Sequence, residues 1–113
     1  VRVEGGYKKK GKTPADAEKL KRDAYALCAA GVSGIILESM VASVAAEITE
    51  TCKAPTIGIG AGQDCDGQVL VLHDLIGAFP WFRPKFATTH ADVAGEITRA
   101  VETYIGEIRD RQP

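Results

Sequence analysis

The stretch Pro55-Thr56-Ile57-Gly58-Ile59-Gly60-Ala61-Gly62-Gln63-Asp64-Cys65-Asp66-Gly67-Gln68-Val69-Leu70-Val71-Leu72-His73-Asp74 begins as a strand and must then turn sharply. Thr56, Ile57 and Ile59 have the β-branched character of a strand covered on both faces, whereas Gly58, Gly60 and Gly62 remove side chains where backbone or a ligand must come close. Glycine weakens a strand interior, so three in alternation imply a close approach. Their G-x-G-x-G spacing is not the dinucleotide fingerprint G-x-G-x-x-G, and no acidic residue follows at the end of a second strand about 20 residues on. Alone, the glycines indicate a tight turn after a strand, with room for an anion if a helix starts directly beyond it.

Before this stretch, the chain alternates helix and strand. Thr13 can cap a helix whose first position is Pro14. Over the following ~17 residues Ala17, Leu20, Ala24, Leu27 and Cys28 keep a three-and-four spacing, with Lys19, Lys21, Arg22 and Asp23 toward water, until Gly31 stops the helix. Gly34-Ile35-Ile36-Leu37-Glu38 is a buried strand that ends abruptly in a carboxylate. A second helix over Val41 to Cys52 buries Val44, Ala45, Ile48 and Cys52, and Pro55 ends it before the strand Thr56 to Gly60. This grammar predicts an α/β protein with a parallel βαβ unit over Gly34 to Gly60 and a right-handed crossover.

Beyond Gly62 the pattern is mixed. Val69-Leu70-Val71-Leu72 favours a strand by propensity, while Val69, Leu72, His73 and Ile76 share a helical face. A parallel pair needs a long crossover and the residues from Ala61 to Cys65 are few, so the balance goes to a short helix capped by Asp66 and stopped by Gly77. Phe79, Pro80, Trp81, Phe82 and Pro84 make an aromatic, proline-rich turn of the kind that packs on a neighbouring surface, and Phe86 with Ala87 can add a very short strand. From about Ala91 to Arg109, the positions Val93, Ile97, Val101, Tyr104, Ile105 and Ile108 mark a last amphipathic helix, with Arg109 to Gln112 fraying into solvent.

Composition bounds the function. With 14 basic and 15 acidic side chains in 113 residues, there is no electrostatic footprint for nucleic acid, and the one basic cluster, Lys8, Lys9, Lys10 and Lys12, reads as a solvated loop. Three cysteines, Cys28, Cys52 and Cys65, are odd in number and far apart along the chain, so neither a disulfide framework nor a zinc ribbon is indicated; a reducing, cytoplasmic setting fits. No apolar run reaches the roughly 18 residues that span a bilayer, and no membrane role is expected. Val1 to Gly6 reads like the middle of a loop, and barrels are longer than this chain, so the expectation is a piece of a larger protein.

Gly5-Gly6-Tyr7-Lys8, Leu37-Glu38 and the Gly58 to Asp74 run together resemble the carboxyl-terminal part of the ketopantoate hydroxymethyltransferase (3-methyl-2-oxobutanoate hydroxymethyltransferase) family. That family shows G-G-Y-K-V-Q-G-R/K, then a strand ending L-E-C-V/I-P, then G-I-G-A-G-x-x-x-D-G-Q-V/I-L-V-x-H-D. The likeness covers nearly the whole chain. Two places depart from it: Lys9-Lys10 replaces Val-Gln, and Ser39-Met40-Val41 stands where Cys, Val or Ile, then Pro are usual. The resemblance implies residues 1–113 as the rear part of a single TIM-type (βα)8 barrel, and a homo-oligomeric, decameric ring. It also implies pantothenate biosynthesis by hydroxymethyl transfer from 5,10-methylenetetrahydrofolate to 3-methyl-2-oxobutanoate, giving ketopantoate.

Such a transfer removes a proton from the carbon beside a ketone, and Glu38 matches the family's proton acceptor. An acid at the carboxyl end of a barrel strand suits that role by position as well, against the plainer reading of a helix cap or loop salt link. Burial beneath Ile36 would raise a carboxyl pKa and a nearby metal would lower it. The resemblance implies Mg2+, held by acids on earlier strands, so no metal ligand is expected in this chain and the chain by itself is expected to be inactive. Asp64, Cys65 and Asp66 mix hard and soft donors and read as turn and cap residues. His73 and Asp74, being adjacent, do not face each other on a helix and read as a packed histidine and an ionic or capping acid. Two rival readings stand: a non-catalytic oligomer-assembly element, and a half-barrel that binds phosphate at the glycine turn.

Overall fold

Thr13 starts the first helix as its chemistry requires: its Oγ1 accepts a hydrogen bond from the Asp16 N–H at 3.1 Å, with Pro14 in the first helical position. Helix α1 runs Pro14–Ala29, and Gly31, at φ +87°, turns the chain out of it. The structure is a computed structural model that describes residues 8–81, 85 and 87–111. Gly5, Gly6 and Tyr7 of the amino-terminal motif, Phe82 and Pro84 of the aromatic turn, Phe86 of the expected short strand and Gln112 lie outside the described residues. Two compact units divide the chain, Val1–Val69 and Leu70–Pro113.

In the first unit α1 is followed by β1 (Ile35–Glu38), α2 (Ala42–Thr51), β2 (Thr56–Ile59) and β3 (Gly67–Gln68). The strands form one parallel sheet in that order, with Ile35 opposite Thr56, Glu38 opposite Ile59 and Ile57 opposite Gly67. The expected βαβ unit is therefore present. Its core joins Ala24 of α1, Ile35 and Leu37 of β1, and Val44, Ala45 and Ile48 of α2, with Met40 and Ala61 closing the ends. Ile48 and Thr56 are the largest side chains wholly out of water. Burying Ile48 contributes roughly 1.5–3 kcal/mol. Leu27, placed by periodicity on the buried stripe of α1, is instead exposed; the stripe narrows to Ala17, Leu20, Ala24 and Cys28.

Two expectations fail here. The strands are covered on one face, not both: Ile35, Leu37, Thr56 and Gly58 are buried, while Ile36 is 65% and Ile57 39% exposed. Apolar, β-branched composition signalled a covered strand but carried no information about whether the second cover lies within this chain. The residues after Gly62 also return to the sheet as β3, and the helix that follows, α3 (Leu72–Leu75), is only four residues long.

A parallel return this short works because it needs no helix. The Gly60 to Asp66 segment runs back along β2 with Cys65 seated over Gly58, where an added Cβ would stand 2.8 Å from the cysteine sulfur. Gly62, at φ +82°, lies against Ala42, where a Cβ would come within 2.5 Å of the alanine methyl. Asp66 does not cap a helix. Its carboxylate accepts from the Thr56 N–H at 2.8 Å, and its own N–H donates to the Thr56 hydroxyl at 3.2 Å. The Thr49 hydroxyl lies 2.8 Å from both the Ala45 carbonyl and the Thr56 hydroxyl, which itself lies 3.4 Å from the Asp66 carboxylate.

The second unit holds α3 and α4 (Val93–Asp110). Gly77 ends α3 at φ +66°, where a Cβ would meet the Ala91 carbonyl at 2.5 Å, and His90, Val93 and Ala94 donate backbone hydrogen bonds to Leu75, Ile76 and Gly77. Asp92 caps α4 by accepting from the Gly95 N–H at 3.1 Å. No residue of α4 is buried, and its apolar stripe is open to solvent, Tyr104 at 64%. Ala87 belongs to no strand. Among the described residues no helix is long and apolar enough to cross a membrane.

Candidate active site

In parallel sheets, side chains at the carboxyl ends of strands gather at one edge. At this edge β1 ends in Glu38 and β2 runs through Ile59 into Gly60. Glu38 pairs in register with Ile59, so the carboxylate stands beside the glycine turn. Strand alternation puts Glu38 on the same face as Ile36, the face turned away from α1 and α2, and Glu38 is exposed. Ile36 does not bury the carboxyl group.

The backbone directly after Glu38 is held under constraint. Ser39 has φ +49°, a left-handed conformation rare outside glycine, and it is clamped on two sides. Its N–H donates to the Ile59 carbonyl at 2.9 Å, and its carbonyl accepts from the Lys10 N–H at 2.7 Å. Lys10 also accepts from the Val41 N–H at 2.8 Å and bridges Met40, so the amino-terminal lysine segment lies along the exit from β1. Lys9 reaches further, its Nζ donating to the Gly60 carbonyl at 3.2 Å. The two segments that depart from the family pattern, Lys9-Lys10 and Ser39-Met40-Val41, are thus paired with each other at this edge.

Sequence reasoning found Glu38 and the glycine turn but not the Lys9 latch or the Ser39 strain. The lysine run was visible, yet nothing local to it announces a partner some fifty positions away in the chain. The edge offers an exposed carboxylate that can accept a proton, and the Lys9 ammonium is held on the neighbouring Gly60 carbonyl. Among the described residues no three His, Cys, Asp or Glu side chains gather as metal ligands. The donor set of the described residues at this edge does not fit a divalent ion.

The other candidates are accounted for differently. Cys65 and Asp66 are engaged in seating the return segment on β2. β3 and not a helix follows the glycine turn, so the helix start expected directly beyond it is not there; the turn instead packs Gly62 on Ala42, the first residue of α2. His73 is not packed in a core: it is exposed and stacks on Phe79 with ring centres 4.9 Å apart, and Phe79 continues to Trp81 at 5.4 Å. The second unit also has an open cleft of about 540 Å³ between Phe79, Pro80, Asp92, Thr98, Arg99 and Glu102, where Arg99 pairs with Glu96. Cys28 and Cys52, distant in sequence, both pack at the α1–α2 contact, where the Cys52 thiol donates to the Ala24 carbonyl at 3.9 Å.

Comparison with known proteins covers nearly all of the chain. The family model described as ketopantoate hydroxymethyltransferase matches residues 1–112. The 3-methyl-2-oxobutanoate hydroxymethyltransferase 1 of Burkholderia cenocepacia (strain HI2424) is 50% identical over 111 residues, 98% of this chain and 41% of that protein. The 3-methyl-2-oxobutanoate hydroxymethyltransferase of Carboxydothermus hydrogenoformans is 47% identical over 112 residues, 99% of this chain and 41% of that protein. That of Caulobacter vibrioides (strain NA1000 / CB15N) is 47% identical over 111 residues, 98% and 40% respectively. The chain spans about two fifths of the length of these curated relatives.

Proposed function

The chain belongs to the ketopantoate hydroxymethyltransferase family, and from that premise we propose that it supplies the proton acceptor, Glu38, for hydroxymethyl transfer to 3-methyl-2-oxobutanoate. The observation that carries this is the position of Glu38: at the carboxyl end of β1, on the sheet face opposite α1 and α2, beside the Gly60 turn. In a closed (βα)8 barrel that face is the interior and that edge is the mouth, so an open apolar face ending in an acid is what a rear segment of such a barrel would present. The helix-covered face with its core of Ile48, Val44 and Leu37 would be the barrel's outer layer.

Glu38 takes the proton from the carbon beside the keto group, and the resulting enolate forms the new C–C bond to the one-carbon unit of 5,10-methylenetetrahydrofolate, with one water supplying the hydroxyl oxygen and tetrahydrofolate leaving. The Ser39 clamp fixes the backbone from which the carboxylate projects. Mg2+, which would stabilise enolate charge, would be held by acids elsewhere in a longer parent, and the site so completed would work in the cytoplasm within a homo-oligomeric ring. Transfer activity should appear only when the chain is combined with a separately supplied front portion of the barrel. Glu38→Gln should then lower the rate by about 10²–10⁴-fold; undiminished transfer by that variant would overturn the assignment.

The uncovered stripe of α4 favours a second reading, an assembly element without catalysis. Sedimentation separates the two: a discrete, inactive oligomer that stays inactive with the front portion supports assembly alone.

A further inference from the structure

The three cysteines have no part in the proposed chemistry, and two of them are neighbours. Cys28 lies in the last turn of α1 and Cys52 is the residue that closes α2, and both pack half-buried against the same core. The Cys52 Sγ lies 3.9 Å from the Ala24 carbonyl, one turn back from Cys28 on α1. By helix geometry that carbonyl accepts the Cys28 N–H, so the sulfur of Cys52 sits directly against the turn that carries Cys28. The rise in the Cys52 thiol that Cys28 adds to agrees with this placement. Closing such a pair to the bonded distance of about 2.05 Å calls for rotation about the two side chains.

We propose that Cys28 and Cys52 form an oxidation site, a dithiol that a low-molecular-weight disulfide such as oxidised glutathione converts to an α1–α2 disulfide. The Cys28 thiolate attacks one glutathione sulfur, forming a mixed disulfide and releasing the first glutathione thiolate. The Cys52 thiolate then attacks the Cys28 sulfur, forming the intramolecular S–S bond and expelling the second. Two protein thiols are oxidised, one glutathione disulfide is reduced to two thiols, and the two protons pass to the departing thiolates. Burial, with the hydrogen bond and charge of Cys28, pushes the Cys52 thiol up to about 11. Burial keeps the overall reaction slow, and it is faster at alkaline pH, where more thiolate forms. Cys65, on the return segment over Gly58, takes no part.

The test uses the full chain with oxidised glutathione at mildly alkaline pH. Digestion and mass spectrometry should give a Cys28–Cys52 linked peptide pair about 2 Da lighter than the two thiols together. The linked chain should melt several degrees higher, roughly 5 °C or more, reversibly on reduction. Cys65→Ser should form the same link. Cys28→Ser and Cys52→Ser should not, and Cys52→Ser should stop at glutathionylated Cys28. A persistent Cys28 mixed disulfide in the unsubstituted chain, or a link that involves Cys65, overturns the proposal.

Discussion

The two faces of one sheet behave oppositely although their residues are of the same kind. Ile35 and Leu37 disappear beneath α1 and α2, whereas Ile36 and Ile57 on the reverse face meet solvent. Alternation along the strand, and not side-chain type, decides which is which. An isoleucine as open as Ile36 costs little to change, because most of its surface already meets water; a carboxylate there loses little hydration. The covered face therefore carries the stability, and the open face is free to carry chemistry.

Changes to the covered face should break this contrast most. Ile48→Ala, at a wholly buried position, should cost about 2–5 kcal/mol in denaturant unfolding. Asp66→Ala should come next, at roughly 1–3 kcal/mol, since it strips the acceptor from the buried Thr56 N–H. Gly58→Ala should cost about 1–3 kcal/mol by driving a methyl against Cys65, and Cys65→Ala should give part of that back in a double-mutant cycle. On the open face, Ile36→Thr should change stability by no more than about 0.5 kcal/mol. A loss comparable to that of Ile48→Ala would mean that the reverse face is covered after all.

Alkaline pH probes the covered side more gently. The Cys52 thiol is raised from its ordinary 9.0 to about 11 in the folded chain, so its contribution is full below pH 9 and lost as pH rises through 11. A melting series across that window should fall for the unsubstituted chain and fall less for Cys52→Ser.

The parts that could be read from sequence are those that local chemistry fixes. Thr13, Pro14 and Gly31 bracket α1, the Val44, Ala45, Ile48 spacing finds the buried side of α2, and Pro55 separates α2 from β2. Glu38 was visible because an acid at the end of an apolar run is conspicuous. What sequence reasoning missed depends on contacts between distant segments. The short parallel return to β3 rests on Cys65 fitting over Gly58 and on Asp66 reaching Thr56, and a rule about crossover length has no access to either. The left-handed Ser39 and the Lys9 reach to Gly60 likewise exist only once the lysine segment has paired with the exit from β1. The open reverse face was missed because apolar residues ask for cover without saying which chain segment provides it.

The same asymmetry marks α4, whose apolar stripe was predicted and whose cover was not. Substituting Val101→Lys should leave the unfolding of the chain within about 0.5 kcal/mol while reducing any self-association seen by sedimentation. Unchanged association would remove the stripe from the assembly reading.

The open face and its acid are tested most directly by proton exchange, which needs no folate. With the front portion supplied, the chain in D2O should exchange the C3 proton of 3-methyl-2-oxobutanoate for deuterium, followed by NMR. Glu38→Gln should slow that exchange by about 10²–10⁴-fold without loss of folding. Exchange at the unsubstituted rate in Glu38→Gln would contradict the account.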